Sequence, residues 1–462
     1  MNNRTIAILV AVIILGASLR IFYFSKQSSV WWDETVYMAM ADAYAGNNYF
    51  FEAFRPPLLP FSLFLWESLF GFSFLSSRIF VLLVSISVIP VVYALTKKAT
   101  DNKVAFATSA LIATDIFSIL YSSRVLTEDL AILFGAISVA SFYIGYKNDS
   151  TRWLALSGVS IALAMMSKHF MAYLGIVVLA FLAIKRGTKV LYDRKLYIVA
   201  LAGLTVMSPW LAVNYIQFGN PLWPQFSNIG LSPPTSLLFY ASVLPLFLGV
   251  QGLLIPFAFI GIRKSKHYEF LKFNFVAIII ALTVLHIVAH KEDRFLGILS
   301  YSAIILEAVG LLKLSEIFGK IFAGKRLWKN DYPGKAAAVI IAVLFVISFV
   351  VVAAIPRQYE DMMYKCADEI KKLPNQTMST TMSPYFSYFL KRNFIQLPWN
   401  SEDFSCKNMI DSGANYTIYY SSGWYQPLES AFLNQTKDCT TLLVNITQNQ
   451  KCLIFRVEKQ HE

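Results

Sequence analysis

Long apolar runs recur along the chain up to about residue 356, separated by short polar segments. A helix needs roughly 17 to 25 mostly apolar residues to cross a bilayer, and about eleven runs satisfy this criterion. They lie near residues 5–24, 78–96, 103–122, 126–146, 152–167, 169–184, 196–216, 236–262, 272–289, 296–313 and 336–356. The run 152–184 crosses twice only if it turns near Ser167, Lys168 and His169. The pattern predicts an all-α polytopic membrane domain over residues 1–356.

The first run is longer than the apolar core of a usual secretory signal and shows no clear small-residue cleavage site, so we interpret it as a retained first helix. The whole chain of 462 residues is 56% hydrophobic and only 15% charged, which is typical of an integral membrane protein.

The net charge of +12 is explained by topology. Lysine and arginine collect in every second loop, within 97–103, 147–152, 185–195, 263–272 and 313–335. Because short cytoplasmic loops are enriched in these residues, the N-terminus is predicted to be inside. A nucleic-acid partner is therefore not needed to account for the charge, and membrane lipids are the expected surroundings.

The segment 357–462 is polar and lacks a spanning run, which predicts a separate soluble domain. An odd number of spans places it on the non-cytoplasmic side, where glycosylation sequons at Asn375, Asn415, Asn434 and Asn445 would be accessible. All four cysteines lie here, as an oxidising compartment permits, and we expect one or two disulfides among three possible pairings. These features suggest a prokaryotic, in particular archaeal, plasma membrane or the endoplasmic reticulum, while a bacterial host stays open.

Local patterns in this segment predict a small α+β fold. The stretches TIYYSS and CLIFRVE alternate as strands do, and residues 359–373 are predicted to be helical.

The predicted outer loop 25–77 is too long for a simple connector. Its segment TVYMAMADAYA predicts a short amphipathic helix that lies along the membrane interface. Neighbouring aromatic residues are of the kind found at headgroup depth, and Pro56-Pro57 would fix the backbone after Arg55. The adjacent carboxylates Asp33 and Glu34 are therefore expected at the outer boundary between water and lipid.

The other predicted outer loops are short but rich in charge. Their charged residues are Arg124, Glu128, Asp129, Lys168, His169, His290, Lys291, Glu292, Asp293 and Arg294. Clusters of this kind at helix ends usually line a cavity or site, and we expect them to converge with Asp33. One carboxylate would take a proton from an attacking hydroxyl while the cations hold a leaving phosphate, which suits transfer from a lipid phosphate.

Two motifs resemble glycosyltransferases of the GT-C superfamily. Asp33-Glu34-Thr35-x-Tyr37 followed by Arg55-Pro56-Pro57-Leu58 is similar to the opening of lipid A aminoarabinose transferases and protein O-mannosyltransferases. This likeness extends in outline to about residue 200. The segment 290–295, HKEDRF, resembles the HKE-x-RF signature of mannosyltransferases that build lipid-linked oligosaccharides and glycolipid anchors. The residues from 357 onward match no family pattern.

The resemblance implies a GT-C fold, a polyprenyl-phosphate (dolichyl-phosphate) sugar donor and inverting, mannosyltransferase-like transfer to a glycan, lipid or protein hydroxyl. It implies Asp33 as catalytic base, beside Glu34. The donor phosphate would be bound among Arg55, Lys168, His169, His290, Lys291 and Arg294. The acceptor would be supported among Arg124, Glu128, Asp129, Glu292 and Asp293. Arg55 stands where aminoarabinose transferases typically have lysine. This change keeps the positive charge but alters the geometry with which the side chain would bind a phosphate.

Plainer interpretations exist for each motif. Asp33 and Glu34 could be a helix N-terminal pair stabilised by the helix dipole, and HKEDRF could be an interfacial salt-bridge cluster. Lys168 could snorkel from a helix end. His169 and His290 do not form a convincing metal set, so no cofactor is expected and a divalent ion is not indicated.

Two other classes of protein remain as alternatives. A transporter or flippase would also need many helices, and Pro209, Pro245 and Pro256 interrupt spans as they do in such proteins. Its ionisable residues would usually lie at mid-membrane, however, whereas most acids here lie in predicted outer loops. A receptor that only displays the C-terminal domain would not need so many helices.

Overall fold

Nine helical segments among the described residues are long and apolar enough to cross a membrane. The structure, a computed structural model, describes residues 3–222, 238–260, 262–288, 290–321, 332–357, 361–398, 405–421, 429–448 and 450–458. The nine segments are Asn3–Phe24, Phe74–Ala99, Glu128–Asn148, His169–Tyr192, Arg194–Phe218, Phe239–Ala258, Tyr268–Ile287, Asp293–Ile321 and Gly334–Ala354. The start of the predicted span 236–262 and part of the basic loop 313–335 lie outside the described residues. The predicted polytopic helical fold is confirmed.

The secondary structure is mainly α-helical. The α-helices are α1 (Asn3–Phe24), α2 (Trp32–Tyr44), α3 (Leu58–Phe70), α4 (Phe74–Ala99), α5 (Asn102–Thr114), α6 (Ile116–Tyr121), α7 (Glu128–Asn148), α8 (Thr151–Ser167), α9 (Tyr173–Arg186), α10 (Arg194–Phe218), α11 (Phe239–Leu248), α12 (Ile255–Ala258), α13 (Tyr268–Ile287), α14 (Ser300–Ile321), α15 (Tyr332–Ala354), α16 (Asp361–Lys371), α17 (Ser383–Leu390), α18 (Cys406–Asp411) and α19 (Glu429–Thr436). The 3₁₀ helices are His169–Ala172, Gly187–Tyr192, Gly249–Leu254, Ile262–Lys264 and Asp293–Leu299. The strands are β1 (Met378–Thr380), β2 (Phe394–Gln396), β3 (Tyr416–Ser421), β4 (Thr440–Thr447) and β5 (Lys451–Val457).

Two of the predicted spans differ from the structure. The run 103–122 is not one helix, because it breaks at Asp115, whose side chain accepts the Ser118 amide and caps α6. The run 152–167 forms α8, whose 17 residues are fewer than in the nine longer segments. The turn predicted near Lys168 is confirmed, since Lys168 has extended backbone between α8 and the next 3₁₀ helix.

The chain forms two compact units. The membrane unit comprises Met1–Ser25, Ala53–Leu59 and Arg78–Pro356, and the tail unit comprises Lys26–Glu52, Pro60–Ser77 and Arg357–Glu462. The tail unit therefore contains most of the predicted outer loop in addition to the C-terminal segment.

The core of the membrane unit is built around its most buried helical segment, Asp293–Ile321, whose apolar window is 89% buried. Helix α14 in this segment packs against α5, α12, α13 and α15. Helices α8 and α10 approach closely at Gly158, where an added Cβ would lie 2.1 Å from the carbonyl oxygen of Val199. Small residues permit such backbone contact between membrane helices, which gain stability from close packing.

The tail unit contains a five-stranded sheet of order β2-β1-β3-β5-β4. Strand β1 is parallel to β2 and β3, whereas β5 is antiparallel to β3 and β4. The predicted strands TIYYSS and CLIFRVE are β3 and β5, and the helix predicted over 359–373 is α16. The predicted small α+β fold is confirmed.

The helix predicted at TVYMAMADAYA is present as α2, but it does not lie exposed along an interface. Almost all of its residues are buried, and Val36 and Met40 pack in one apolar cluster with Met382, Tyr385 and Phe386 of the tail unit. The periodicity of a helix buried within a protein resembles that of a helix against lipid, so the pattern predicted the helix but not its burial.

The far end of α2 is fixed within the tail unit by a buried charge. Asp42 is paired with Lys391, whose ammonium also reaches the Tyr49 hydroxyl at 2.9 Å and lies 4.0 Å from the centre of the Tyr388 ring. Burial raises the pKa of Asp42, while the hydrogen bond and charge of Lys391 oppose that shift.

Two disulfides cross-link the tail unit, in agreement with the expected one or two. Cys366 on α16 is bonded to Cys452 on β5, and Cys406 on α18 is bonded to Cys439. The sequon residues Asn375, Asn434 and Asn445 are exposed.

Candidate functional site

The adjacent carboxylates Asp33 and Glu34 of the tail unit have different environments. Both lie in the first turn of α2, where the helix dipole favours negative charge. Glu34 is fully buried, and its Oε2 accepts the backbone amide of Trp31 at 2.8 Å as part of a capping box. Asp33 is only partly buried. Glu34 therefore has a structural role at the helix start, whereas Asp33 is the more accessible acid.

In the membrane unit, Glu128 and Lys168 form a buried ion pair. Lys168 Nζ lies 2.7 Å from Glu128 Oε1, and their side chains are 9% and 3% exposed. Glu128 is placed by the start of α7 and Lys168 by the break after α8. Glu128 Oε2 is buried and has no hydrogen-bond partner among the described residues. A buried carboxylate oxygen is costly without a partner, so this atom is suited to accept a ligand hydroxyl.

The segment HKEDRF forms a second set of charges next to this pair. Arg294 contacts Glu292 through Nε at 2.5 Å and Nη2 at 2.9 Å, and Glu292 also reaches His290 Nε2 at 2.6 Å. Arg294 Nε is 4.0 Å from Glu128 Oε1, which links the two sets. The 3₁₀ helix Asp293–Leu299, which leads directly into α14, carries Arg294. The contacts within HKEDRF are therefore those of a salt-bridge cluster, as the plainer interpretation of this motif predicts.

Lys291 differs from the other cations of this cluster. Its side chain is buried, with 8% of the residue exposed, yet no described residue forms an ion pair or hydrogen bond with its ammonium group. Buried lysines are rare unless their charge is paired. The Lys291 ammonium can therefore bind an anion without losing a contact to any described residue.

Phe295 provides an aromatic wall for the cluster. Lys168 Nζ lies 4.7 Å from the centre of its ring and Arg294 Cζ lies 5.9 Å away. Phe170 and His290 pack on the same ring at 4.8 and 5.6 Å between centroids. An aromatic face stabilises cations and excludes water, which strengthens electrostatic interactions with a ligand.

His169 contacts the segment that carries Arg55. Its Nε2 lies 3.0 Å from the carbonyl oxygen of Phe54, and its ring stacks on Trp210 at 5.8 Å between centroids. The guanidinium of Arg55 lies 5.5 Å from the Phe54 ring. By sequence, Phe54 was interpreted only as an aromatic residue at headgroup depth, and Trp210 was not singled out, because aromatic residues near a helix end commonly settle there.

Asp129 has partners that differ from those of Glu128. It interacts with Ser85 and with Arg20, a fully buried arginine in α1. Arg20 also donates to Ser85 Oγ at 3.0 Å. The sequence signal for Arg20 was a lone basic residue within the first span, which a helix-end anchor would also explain.

Arg124 and Asp293 complete the predicted charged set. Arg124 is 2% exposed and lies in the turn before α7, and Asp293 accepts the Arg294 amide at 2.7 Å. The structure thus brings together Glu128, Lys168, His290, Glu292 and Arg294. Within the described ranges, no group of three or more His, Cys, Asp or Glu side chains is arranged to bind a metal.

Comparisons with known proteins agree with this architecture. The family described as Dolichyl-phosphate-mannose-protein mannosyltransferase matches residues 54–212, which is less than half of the chain. The structure of ArnT from Cupriavidus metallidurans bound to undecaprenyl phosphate is 12% identical, with a TM-score of 0.73 and coverage of 98% of both chains. The apo structure of that ArnT is 13% identical, with a TM-score of 0.70 and coverage of 97% of both chains.

A third solved structure is the archaeal oligosaccharyltransferase AglB from Archaeoglobus fulgidus, in complex with an inhibitory peptide and a dolichol-phosphate. It is 13% identical with a TM-score of 0.63, and the match covers 90% of this chain and 69% of that one. No curated protein matches the sequence.

The chain has the GT-C fold, which it shares with these solved structures. It is an integral membrane protein, with nine apolar helical segments of spanning length among the described residues.

Proposed function

We propose that this protein transfers a sugar from a polyprenyl-phosphate donor to a hydroxyl acceptor, with inversion, on the non-cytoplasmic face of a membrane. The structural likeness to ArnT bound to undecaprenyl phosphate and to AglB in complex with a dolichol-phosphate supports this donor class. The acceptor is a lipid-linked glycan, another glycolipid or a protein serine or threonine. A mannosyl donor is the specific proposal that the match over residues 54–212 supports.

The observation that carries this proposal is the buried residue Lys291, whose ammonium has no ion-pair partner among the described residues and which lies in the same segment as Arg294. A leaving phosphate develops negative charge as the bond to the sugar breaks, and fixed cations in a partly dehydrated site stabilise that charge. We assign Lys291 and Arg294 to the donor phosphate, with Lys168 and the imidazole of His290 as further ligands from the cluster. Arg55 is assigned to the same phosphate by resemblance.

The proposed reaction needs a base as well as cations. The acceptor hydroxyl forms a bond to the anomeric carbon while the bond between that carbon and the phosphate oxygen breaks, and the phosphate keeps the electron pair. The hydroxyl proton goes to a carboxylate, which we assign to Asp33 because Glu34 is occupied in capping α2. Glu128 Oε2 would accept a hydrogen bond from a sugar or acceptor hydroxyl.

The test is sugar transfer by purified full-length protein. Polyprenyl-phosphate hexoses and pentoses would be supplied with lipid-linked glycan, glycolipid and serine/threonine peptide acceptors, and products would be identified by mass spectrometry. Wild-type protein is expected to form a glycosidic product, and Asp33→Asn is expected to lower the rate at least about 10²-fold, because a positioned base contributes roughly 10²- to 10⁴-fold.

Asp368→Asn is the matched control, since Asp368 is a 66% exposed acid of the same unit, and it should leave transfer unchanged. Both variants should reach the membrane in normal amounts. Normal transfer by Asp33→Asn would remove Asp33 from the role of base. If proteoliposomes move a lipid or solute across the membrane and no glycosidic product forms with any donor, the protein is a transporter or flippase instead.

A further inference from the structure

A small cavity lies inside the membrane unit, and its lining shares no residue with the Glu128 cluster. Its volume is about 10 Å³, and its lining includes Asp115, Phe247, Leu248, Ser300 and Glu307. A volume of about 10–15 Å³ on this measure holds one water-sized particle. Two carboxylates and a hydroxyl therefore surround a space for a single small occupant.

The cavity lies at a helix break that the fold stabilises. Helix α5 ends at Thr114, and its last carbonyl groups receive hydrogen bonds from three other elements. Gln251 reaches Leu111 O at 3.3 Å, Arg20 reaches Ile112 O at 3.0 Å and Ala113 O at 3.2 Å, and Ser348 reaches Thr114 O at 2.6 Å. Irregular backbone at membrane depth persists only where such partners or a cavity satisfy it. The helix break at Asp115 is therefore a stable part of the core.

Two polar groups at the cavity have no partner among the described residues. Ser300 Oγ is buried and has no hydrogen bond from any described residue, and Ser300 is only 2% exposed. Glu307 is also 2% exposed, and none of the described residues forms an ion pair or hydrogen bond with its carboxylate. Asp115 Oδ2 accepts the Ser118 amide at 2.8 Å, and its carboxylate lines the same cavity.

The local charges favour a cation in this space. Arg20 supplies one buried positive charge, which interacts with the carboxylates of Asp115 and Asp129. Glu307 adds a third carboxylate, so negative groups outnumber positive ones. Two helix C-termini meet the cavity, α5 through Asp115 and α11 through Leu248, while Asp115 also caps the N-terminus of the short helix α6. The C-terminal end of a helix carries partial negative charge, and the ends of interrupted membrane helices coordinate Na⁺ in transporters.

We propose that this cavity is a binding site for a monovalent cation of the size of Na⁺, held by Asp115, Ser300 and Glu307. A hydrated Mg²⁺ would not fit, because that ion keeps several waters in an octahedral shell. The cation would lock the α5–α6 break against α14. The site does not depend on the proposed sugar transfer, because it would stabilise the folded protein with or without that activity.

The test is thermal unfolding of the purified full-length protein in detergent, with NaCl compared with choline chloride at equal ionic strength. Wild-type protein is expected to show a saturable rise in Tm of a few degrees with Na⁺ that choline does not produce, since a ligand that binds only the folded state stabilises it by mass action. Glu307→Gln should abolish this response. The matched control is Glu316→Gln on the same helix, whose side chain is 52% exposed, and it should respond like wild type.

Ser300→Ala provides a second measurement in case Glu307→Gln folds poorly. It should shift the midpoint of the Na⁺ response to higher concentration by about tenfold, the effect of one lost hydrogen bond. Equal effects of Na⁺ and choline on wild-type protein would overturn the proposal. So would a wild-type Na⁺ response retained by Glu307→Gln or an unchanged midpoint in Ser300→Ala. None of these measurements involves sugar transfer, so their failure is distinct from failure of the proposed function.

Discussion

At the scale of single residues, adjacent acidic side chains have different environments and contacts. Glu34 caps α2 while Asp33 remains partly exposed, and Glu128 pairs with Lys168 while Asp129 interacts with Arg20. The sequence predicted that these acids belong to charged clusters at helix ends. It could not separate the members of each pair, because successive helical residues point in directions about 100° apart and only packing determines what lies in each direction.

Lys291 gives the residue-scale prediction for donor binding. Lys291→Ala is expected to weaken binding of a polyprenyl phosphate by about 10- to 100-fold, because a hydrogen bond to a charged group contributes about 1.5–3 kcal/mol. Titration of the purified variant with the lipid phosphate would measure the change in Kd.

Lys189→Ala is the control for this measurement, since Lys189 is an exposed lysine of the membrane unit. It should bind the lipid phosphate as wild type does. A normal Kd for Lys291→Ala would show that the phosphate is held by other cations.

At the scale of elements, polar residues inside apolar runs led to one correct prediction and one missed helix break. The turn after α8 followed from Lys168 and His169, two adjacent polar side chains in a run too long for one crossing. The break at Asp115 was missed, because the run 103–122 has the length of a single span and one Thr-Asp step is compatible with an intact helix. Its stability depends on Arg20, Gln251 and Ser348, which come from distant parts of the chain.

Helix packing gives the element-scale prediction. Gly158→Val is expected to lower the stability of the membrane unit by about 1–3 kcal/mol or more, because overpacking forces backbone shifts of this energetic scale. The new Cβ would lie 2.1 Å from the Val199 carbonyl oxygen, which cannot move without separating α8 from α10. A lower Tm of the purified protein would report the loss.

Gly175→Ala is the matched helical control, since its added Cβ would meet no atom within 4 Å. It should be neutral or slightly stabilising, because alanine favours the helix by about 0.8–1.0 kcal/mol over glycine. A Gly158→Val protein with the wild-type Tm would contradict the close α8–α10 contact.

At the scale of the whole molecule, the tail unit depends on cross-links that join distant segments. The disulfides Cys366–Cys452 and Cys406–Cys439 span 86 and 33 residues of sequence. Loop-closure entropy predicts contributions of about 4.6 and about 3.7 kcal/mol to the stability of this unit, with the longer loop contributing more. The double variant Cys406→Ser/Cys439→Ser should therefore unfold more readily, as limited proteolysis of the tail unit would measure.

The single variants Cys406→Ser and Cys439→Ser are the controls, because each removes the same bond with one substitution. Each is expected to lose nearly as much stability as the double variant. Unchanged protease resistance in the double variant would show that the unit is stable without this cross-link.

The sequence by itself determined the membrane class, most of the spans, the turn at Lys168, the small α+β tail and the charged residues at the helix ends. These features follow from local periodicity, from composition and from the cost of placing charge in lipid, all of which operate within one segment. The resemblance of short motifs added the GT-C fold.

Only the tertiary structure decided that α2 is buried, that the spans break at Asp115, that Arg20 faces Asp129 and that Lys291 lacks a described partner. Each of these outcomes depends on atoms contributed by segments far apart in the chain. Burial and hydrogen-bond satisfaction are properties of that three-dimensional surrounding, so no window of sequence contains them.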